Sequence, residues 1–138
     1  MILYQAMIPL NPRTKKNSQQ ILINKKTRKP FIIQSEKYKE YEKDAGWFLK
    51  PLHSPIAEPV NVKCLFYRDS ARRVDLTNLL EAIDDILVKY RILEDDNYNI
   101  IASHDGSRVL IDKDNPRTEI EISSITDYNL IKEVEDGE

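Results

Sequence analysis

The sequence predicts an α/β domain of the mixed α+β type, in which one mixed β-sheet carries two main helices. Two observations favour this class. Stretches of alternating apolar and polar residues occur before, between and after two segments that have the helical apolar period. The chain has 138 residues, of which 41% are hydrophobic, and this is enough for one modest core. We therefore expect the element order βββαβαβββ, with the strand pairing left open.

Three strands and a basic loop are predicted at the N-terminus. Residues 2–9 have the pattern of a first strand, and residues 11–18 that of a polar, basic loop. Two short apolar runs, 20–23 and 31–33, flank the segment 24–30, which is rich in lysine and arginine. This arrangement predicts a hairpin with a basic tip.

A first helix and a long strand are predicted next. Ser35 is a typical N-cap, so we expect a helix from there to about residue 49, with Pro51 ending it. Residues 59–68 alternate in polarity, which indicates a strand. Cys64 lies in this run and is the single cysteine of the chain, so it excludes an internal disulfide and is expected to be a small core residue.

Residues 75–90 show the clearest helical pattern. At 100° per residue, one side of this helix is apolar and the opposite side is polar. The apolar side carries Leu76, Leu79, Leu80, Ile83, Ile86, Leu87 and Tyr90. The polar side carries Asn78, Glu81, Asp85 and Lys89. This spacing is that of an amphipathic helix packed on a core.

Three further strands are predicted after this helix. Residues 99–103 and 108–111 are interpreted as a hairpin around the turn 104–107. Residues 118–125 alternate as a last strand. The domain is therefore expected to span residues 1–125, followed by an acidic and mobile tail over 126–138.

Charge is distributed unevenly along the chain, although the net charge is only −2. Residues 1–35 contain no acidic residue and seven basic ones. The remaining 103 residues hold 14 of the 21 basic residues and all 23 acidic ones, a net charge of −9. Clustered bases are compatible with nucleic-acid binding even in an acidic protein.

Carboxylates frame the second helix. Asp75 lies at its N-terminal end, beside the cationic pair Arg72-Arg73, and Asp95-Asp96 follow its C-terminal end. Taken alone, Asp75 is a common N-cap and the acidic pair a solvated turn. Together they suit a divalent cation of the Mg²⁺ type, which prefers carboxylate oxygens, next to a phosphate backbone. The two histidines, His53 and His104, are expected to be incidental rather than catalytic, and His104 is the stronger candidate of the two because the strand after Asp96 leads to it.

These segments carry a resemblance to a known family. The family pattern D-x-[DT]-N-L-x-x-x-x-x-D-x-L, followed by an acidic pair about ten residues later, is matched without a gap. The matching residues are Asp75-Leu76-Thr77-Asn78-Leu79, Asp85-Ile86-Leu87 and Asp95-Asp96. A second match is the Pro-rich, basic, Asn-containing stretch 8–18. The chain thus resembles the RusA family of Holliday-junction resolvases of bacteria and their phages, over roughly residues 1–125.

The resemblance implies a metal-dependent nuclease site. It points to Asp75 and Asp96, with Asp95, as ligands of Mg²⁺, for which Mn²⁺ is expected to substitute, and to Asp75, Asp96, Glu81 and Asn78 as catalytic residues. Thr77 replaces the aspartate of many members, and Glu81 replaces a lysine of the founding member. Glu81 is therefore a candidate for the carboxylate that Thr77 lacks, since it lies three residues after Asn78 on the same helix face.

The resemblance also implies the partners. Thr14, Lys15, Lys16 and Asn17 match the DNA-contacting loop of the family, and Arg72 and Arg73 are expected to bind phosphates. The basic hairpin tip is a candidate extension of that surface.

The expected function is resolution of four-way junctions by a homodimer that makes paired symmetric nicks. This activity would serve DNA recombination and repair in the cytoplasm of a bacterial host, with no membrane involvement, and the family suggests a phage or prophage setting. The alternatives are a junction-binding protein without cleavage, or a protein-interaction module that uses the acidic helix face.

Overall fold

A computed structural model describes residues 1–15, 19–34 and 36–125. In these residues, seven strands and two helices follow one another in the predicted order. They are β1 (Ile2–Ile8), β2 (Gln19–Ile23), β3 (Pro30–Gln34), α1 (Glu36–Ala45), β4 (Val60–Arg68), α2 (Leu76–Lys89), β5 (Ile101–Ser103), β6 (Arg108–Ile111) and β7 (Arg117–Ser124). The predicted N-cap Ser35 and the predicted tail 126–138 lie outside the described residues.

Five strands form one mixed sheet, as predicted. β7 lies between β1 and β4 and runs antiparallel to both. β5 and β6 both pair with β4, in parallel, and occupy its other edge. β2 and β3 form a separate antiparallel ribbon of two strands. The fold is therefore a sheet with an attached hairpin.

The core lies between one face of the sheet and the helices. Alternate residues of β4, from Val60 to Phe66, are fully buried, whereas the residues between them are partly exposed. Cys64 is among the buried ones, as predicted, and burial raises the pKa of its thiol. β4 can hold this central position because every second residue is apolar or small, which suits a strand with neighbours on both edges.

The two helices lie close to their predicted bounds and cover this face. α1 ends at Ala45 and continues as a 3₁₀ turn over Gly46–Phe48, so the helical path reaches the predicted end near residue 49. α2 is flanked by Asp75 and Tyr90, and its apolar side is buried as predicted. One charged side chain, Asp84, is buried with it. No helix in the described part of the chain is long and apolar enough to cross a membrane.

The predicted hairpin over 99–111 is wrong. β5 and β6 run in the same direction along one edge of β4, and the turn between them carries the chain forward instead of reversing it. The reason is a set of side-chain bonds to β4 that propensity does not reveal. Asn61 Oδ1 accepts the Asp105 N–H at 2.7 Å, and Ser107 Oγ accepts the Cys64 N–H at 3.0 Å. These bonds hold the turn against β4 between the two short stretches of strand pairing.

Candidate active site

A cavity of about 270 Å³ opens beside α2, at the border between its apolar and polar sides. Its lining residues come from three segments, namely the helix, the turn that follows it and the β5–β6 turn. They are Thr77, Leu80, Glu81, Asp84, Asp96 and His104. Residues three, four and seven apart lie on one face of a helix, and so Thr77, Glu81 and Asp84 share the cavity wall. Helix geometry and one later turn thus gather three carboxylates around a single space.

Asp84 and His104 form the most buried polar pair of this cavity. His104 Nε2 lies 2.8 Å from Asp84 Oδ2 and 3.1 Å from Oδ1, and the side chains of His104 and Asp84 are only 29% and 12% exposed. Burial raises the pKa of Asp84, and the hydrogen bond and charge of His104 oppose that rise. The pair therefore ties α2 to the β5–β6 turn.

Sequence reasoning misses this pair. The helical pattern does not place Asp84 on the polar side, and His104 is expected to be incidental rather than catalytic, so the contact between them is not predicted. A signal is nevertheless present, because Asp84 lies four residues after Leu80 and three before Leu87, on the arc that enters the core. A carboxylate on that arc requires a buried partner.

The acidic pair after α2 divides into two different environments. Asp95 Oδ1 accepts the Asp96 N–H at 2.7 Å, and its Oδ2 accepts a bond from Asn97 Nδ2 at 3.1 Å. The bond from the Asp96 backbone is the main reason why the pKa of Asp95 is lowered. The pKa of Asp96 is raised, first by desolvation and then by Asp95. Asp95 thus holds the turn, while Asp96 lines the cavity.

Asp75 and Asn78 lie at the N-terminal end of α2. Asp75 occupies the N-cap position, but its side chain makes no capping bond. Its Oδ2 accepts a bond from Asn78 Nδ2 at 3.3 Å, and the carboxylate is exposed. Neither residue is among those that line the cavity. The structure therefore brings Glu81 and Asp96 together at the cavity and leaves Asp75 outside it, at the N-terminal end of the helix.

The predicted DNA-binding loop is only partly described. Thr14 is 2% exposed, so its side chain belongs to the interior. Lys15 forms an ion pair with Asp85 of α2 and lies 6.0 Å from the ring centre of Tyr38. Lys16 and Asn17 lie outside the described residues. The loop thus docks on the polar side of α2 through Lys15.

The two predicted phosphate-binding arginines, Arg72 and Arg73, are exposed in the segment before α2. The backbone carbonyl of Arg72 accepts a bond from the Arg68 side chain, which shapes this segment. The Asp69 N–H donates to Asn11 Oδ1 at 3.0 Å, so the N-terminal loop crosses beside it. Basic segments from two separate parts of the sequence consequently meet at the same end of β4.

The donor set of the cavity fits a hard divalent cation in chemistry. Carboxylate and hydroxyl oxygens are the ligands that Mg²⁺ prefers, and Glu81, Asp96 and Thr77 supply both kinds. Desolvation raises the pKa of Asp96 first, and the negative charge of nearby carboxylates, which a cation would neutralise, raises it further. Among the residues that the structure describes, no three acidic, histidine or cysteine side chains already converge as a metal site. Binding would therefore require the carboxylates to turn toward one another.

Comparison with known proteins adds one finding. The family model described as endodeoxyribonuclease RusA matches residues 9–123. This range includes both helices, the cavity and most of the sheet. A search of curated proteins found no match.

Proposed function

Because the chain belongs to the RusA family of endodeoxyribonucleases, we propose that it cleaves branched DNA, with the four-way junction as its main substrate. The observation that carries this proposal is the cavity beside α2, where Glu81 of the helix and Asp96 of the turn after it line one space. The exposed Arg72-Arg73 segment precedes the same helix. A metal-dependent nuclease site places negative ligands for the cation next to positive groups for the DNA backbone. This part of the molecule supplies both.

We propose that Mg²⁺ is the cofactor and that Mn²⁺ can replace it. Nucleases of this family generally depend on a divalent metal. Asp96 and Glu81 would hold the cation, and Asp75 would join them from the end of the helix. When bound, the cation supplies an activated water and stabilises the leaving oxygen.

The remaining residues of the site position these groups. Asn78 donates a hydrogen bond to the Asp75 carboxylate and thereby orients it. Asp95 orders the turn that carries Asp96. Arg72 and Arg73 bind the phosphates that flank the cleaved bond. Glu81 provides the carboxylate that is missing at Thr77, where many members of the family have an aspartate.

A homodimer is part of the proposal. Resolution of a junction requires two symmetric nicks, and a two-fold dimer presents two sites to a two-fold substrate. Exposed aromatic residues just after α1, Trp47 and Phe48, support an apolar subunit contact. Sedimentation of the wild-type chain measures this directly, and a monomer at assay concentration in the presence of junction DNA would contradict it.

The test of the function is a nicking assay on an end-labelled synthetic junction with Mg²⁺. Asp96→Asn and Glu81→Gln should each lower the single-turnover cleavage rate by about 100-fold, because each replaces a charged cation ligand with a neutral amide. Glu94→Gln is the matched control. This exposed acid precedes the same turn and does not line the cavity, so its replacement should retain most of the rate.

Three outcomes separate the alternatives. Paired nicks that disappear in Asp96→Asn support the proposal. Junction binding without nicks from the wild type would instead identify a DNA-binding protein that does not cleave. A protein that neither binds nor cleaves junctions would refute the proposal.

A further inference from the structure

The hairpin formed by β2, β3 and the turn between them stands apart from the sheet. We call residues 19–34 the basic arm. Its two strands pair with each other, and neither pairs with a strand of the five-stranded sheet. Isolated two-stranded ribbons are marginally stable, so an arm of this kind needs a partner surface to stabilise it.

Both faces of the arm are exposed near its tip, where the side chains are described. Ile21 and Ile23, which share one face, are 72% and 67% exposed, and Leu22 and Phe31 on the other face are each 41% exposed. A ribbon that lay against the body of the protein would bury one of these faces. The half of the arm near its tip therefore stands clear of the domain, and each five-residue strand is about 17 Å long.

The tip of the arm concentrates positive charge. Four of the five residues from 25 to 29 are basic, all are exposed, and the whole arm contains no acidic residue. The four are Lys25, Lys26, Arg28 and Lys29. This density of cations is typical of a surface that binds a polyanion.

The turn that presents these cations is well defined. Asn24 Oδ1 accepts the N–H groups of Lys26 at 2.8 Å and of Thr27 at 3.1 Å. The Arg28 N–H donates to the Asn24 carbonyl at 2.7 Å, and Arg28 adopts a left-handed conformation with φ 55°. Asn24 thus fixes the shape of the tip, so that its cations are presented in a set geometry.

The base of the arm follows closely in sequence after a residue that contacts α2. Lys15 contacts Asp85, which is one helical turn from Glu81, and β2 begins four residues after Lys15. Four residues span at most about 14 Å. The start of the tip consequently lies within about 31 Å of the Lys15 backbone, less than the ~34 Å length of one turn of duplex DNA.

We propose that the basic arm binds the duplex arm of the branched DNA next to the cleavage point, with its tip cations on the phosphates. This inference rests on the proposed function, which it deepens by naming a second contact with the substrate. A two-stranded ribbon has the width that the major groove admits. The arm would thereby fix the duplex while the cavity on α2 reaches the phosphodiester.

The test compares two variants of equal charge. The arm variant carries Lys25→Gln, Lys26→Gln, Arg28→Gln and Lys29→Gln. The control variant carries Lys43→Gln, Lys50→Gln, Arg91→Gln and Lys113→Gln, four exposed cations elsewhere in the described part of the chain. Fluorescence anisotropy measures the Kd for a labelled junction at several salt concentrations, with EDTA present to prevent cleavage.

The arm variant should bind the junction roughly tenfold or more weakly at moderate salt. The slope of log Kd against log salt should fall by about 2–4, because each phosphate contact that the variant loses lowers the slope by about 0.9. The control should change the slope by less than about 1.

Equal slopes for the arm variant and the control would overturn the proposal. A stem variant, Ile21→Ser with Ile23→Ser, tests whether the arm contacts a second copy of this chain instead of DNA. If it converts a wild-type dimer to a monomer while the arm variant binds DNA as the control does, the arm is a subunit contact and the proposal is wrong. If the wild type itself binds no junction, the proposed function fails, and this result is distinct from a failure of the arm alone.

Discussion

Replacement of His104 by alanine should destabilise the fold by an amount that can be worked out from the Asp84 site. In the native protein, both carboxylate oxygens of Asp84 lie within 3.1 Å of His104 Nε2, and the Asp84 side chain is 12% exposed. His104→Ala leaves this carboxylate without its partner in a site where burial already raises its pKa. An unsatisfied buried polar group costs about 1–3 kcal/mol, so the free energy of unfolding should fall by that amount.

The assay is urea and thermal unfolding of His104→Ala beside the wild type. For a chain of this length, each kcal/mol corresponds to about 3–5 °C in Tm, so a decrease of about 3–15 °C is expected. His53→Ala is the matched control. His53 is the other histidine of the chain and is exposed, so its replacement should change the free energy by less than about 0.5 kcal/mol.

A double-mutant cycle separates the pair from its surroundings. Asp84→Ala combined with His104→Ala removes both partners, and the double variant should be more stable than the sum of the two single losses implies, by about 1–2 kcal/mol. If the losses simply add, or if His104→Ala unfolds as the wild type does, the pair does not tie α2 to the β5–β6 turn and the reasoning is refuted.

Three further predictions test the core, the close packing at α1 and the metal. Phe66→Ala, at a fully buried position of β4, should cost about 3–5 kcal/mol in urea unfolding, and a loss below about 1 kcal/mol would contradict the assigned core. Gly46→Ala would place a Cβ 2.4 Å from the ring of Tyr90, whose hydroxyl donates to the Glu42 carbonyl. The free energy of unfolding should therefore fall by about 1–3 kcal/mol, and this loss should disappear in a Tyr90→Ala background. Mg²⁺ at about ten times its Kd should stabilise the wild type by about 1.4 kcal/mol in thermal unfolding, an effect that chelation reverses, and an equal shift in Asp96→Asn would place the cation elsewhere.

The element order could be predicted from the sequence because it depends on local pattern. The period of two in β4 and the period near 3.6 in α2 are properties of neighbouring residues, and both elements occur within a residue or two of their predicted bounds. The acidic motif from Asp75 to Asp96 is visible for the same reason, since it is a spacing along one helix and one turn. The direction of a turn is harder to predict. The predicted hairpin of β5 and β6 is wrong because the turn between them is held by bonds to Asn61, which lies in a distant strand.

The sequence by itself therefore determined the mixed α+β class, the amphipathic α2 and the carboxylates and cations in and around it. The tertiary structure alone decided which of these meet. It joins Asp84 to His104 across 20 residues, and Lys15 to Asp85 across 70. It also brings Glu81 and Asp96 to one cavity, whereas Asp95 bonds within its own turn. The physical reason is that a periodic pattern states which side chains share a face, whereas the partner of a buried charge is chosen by packing between elements that are far apart in the chain.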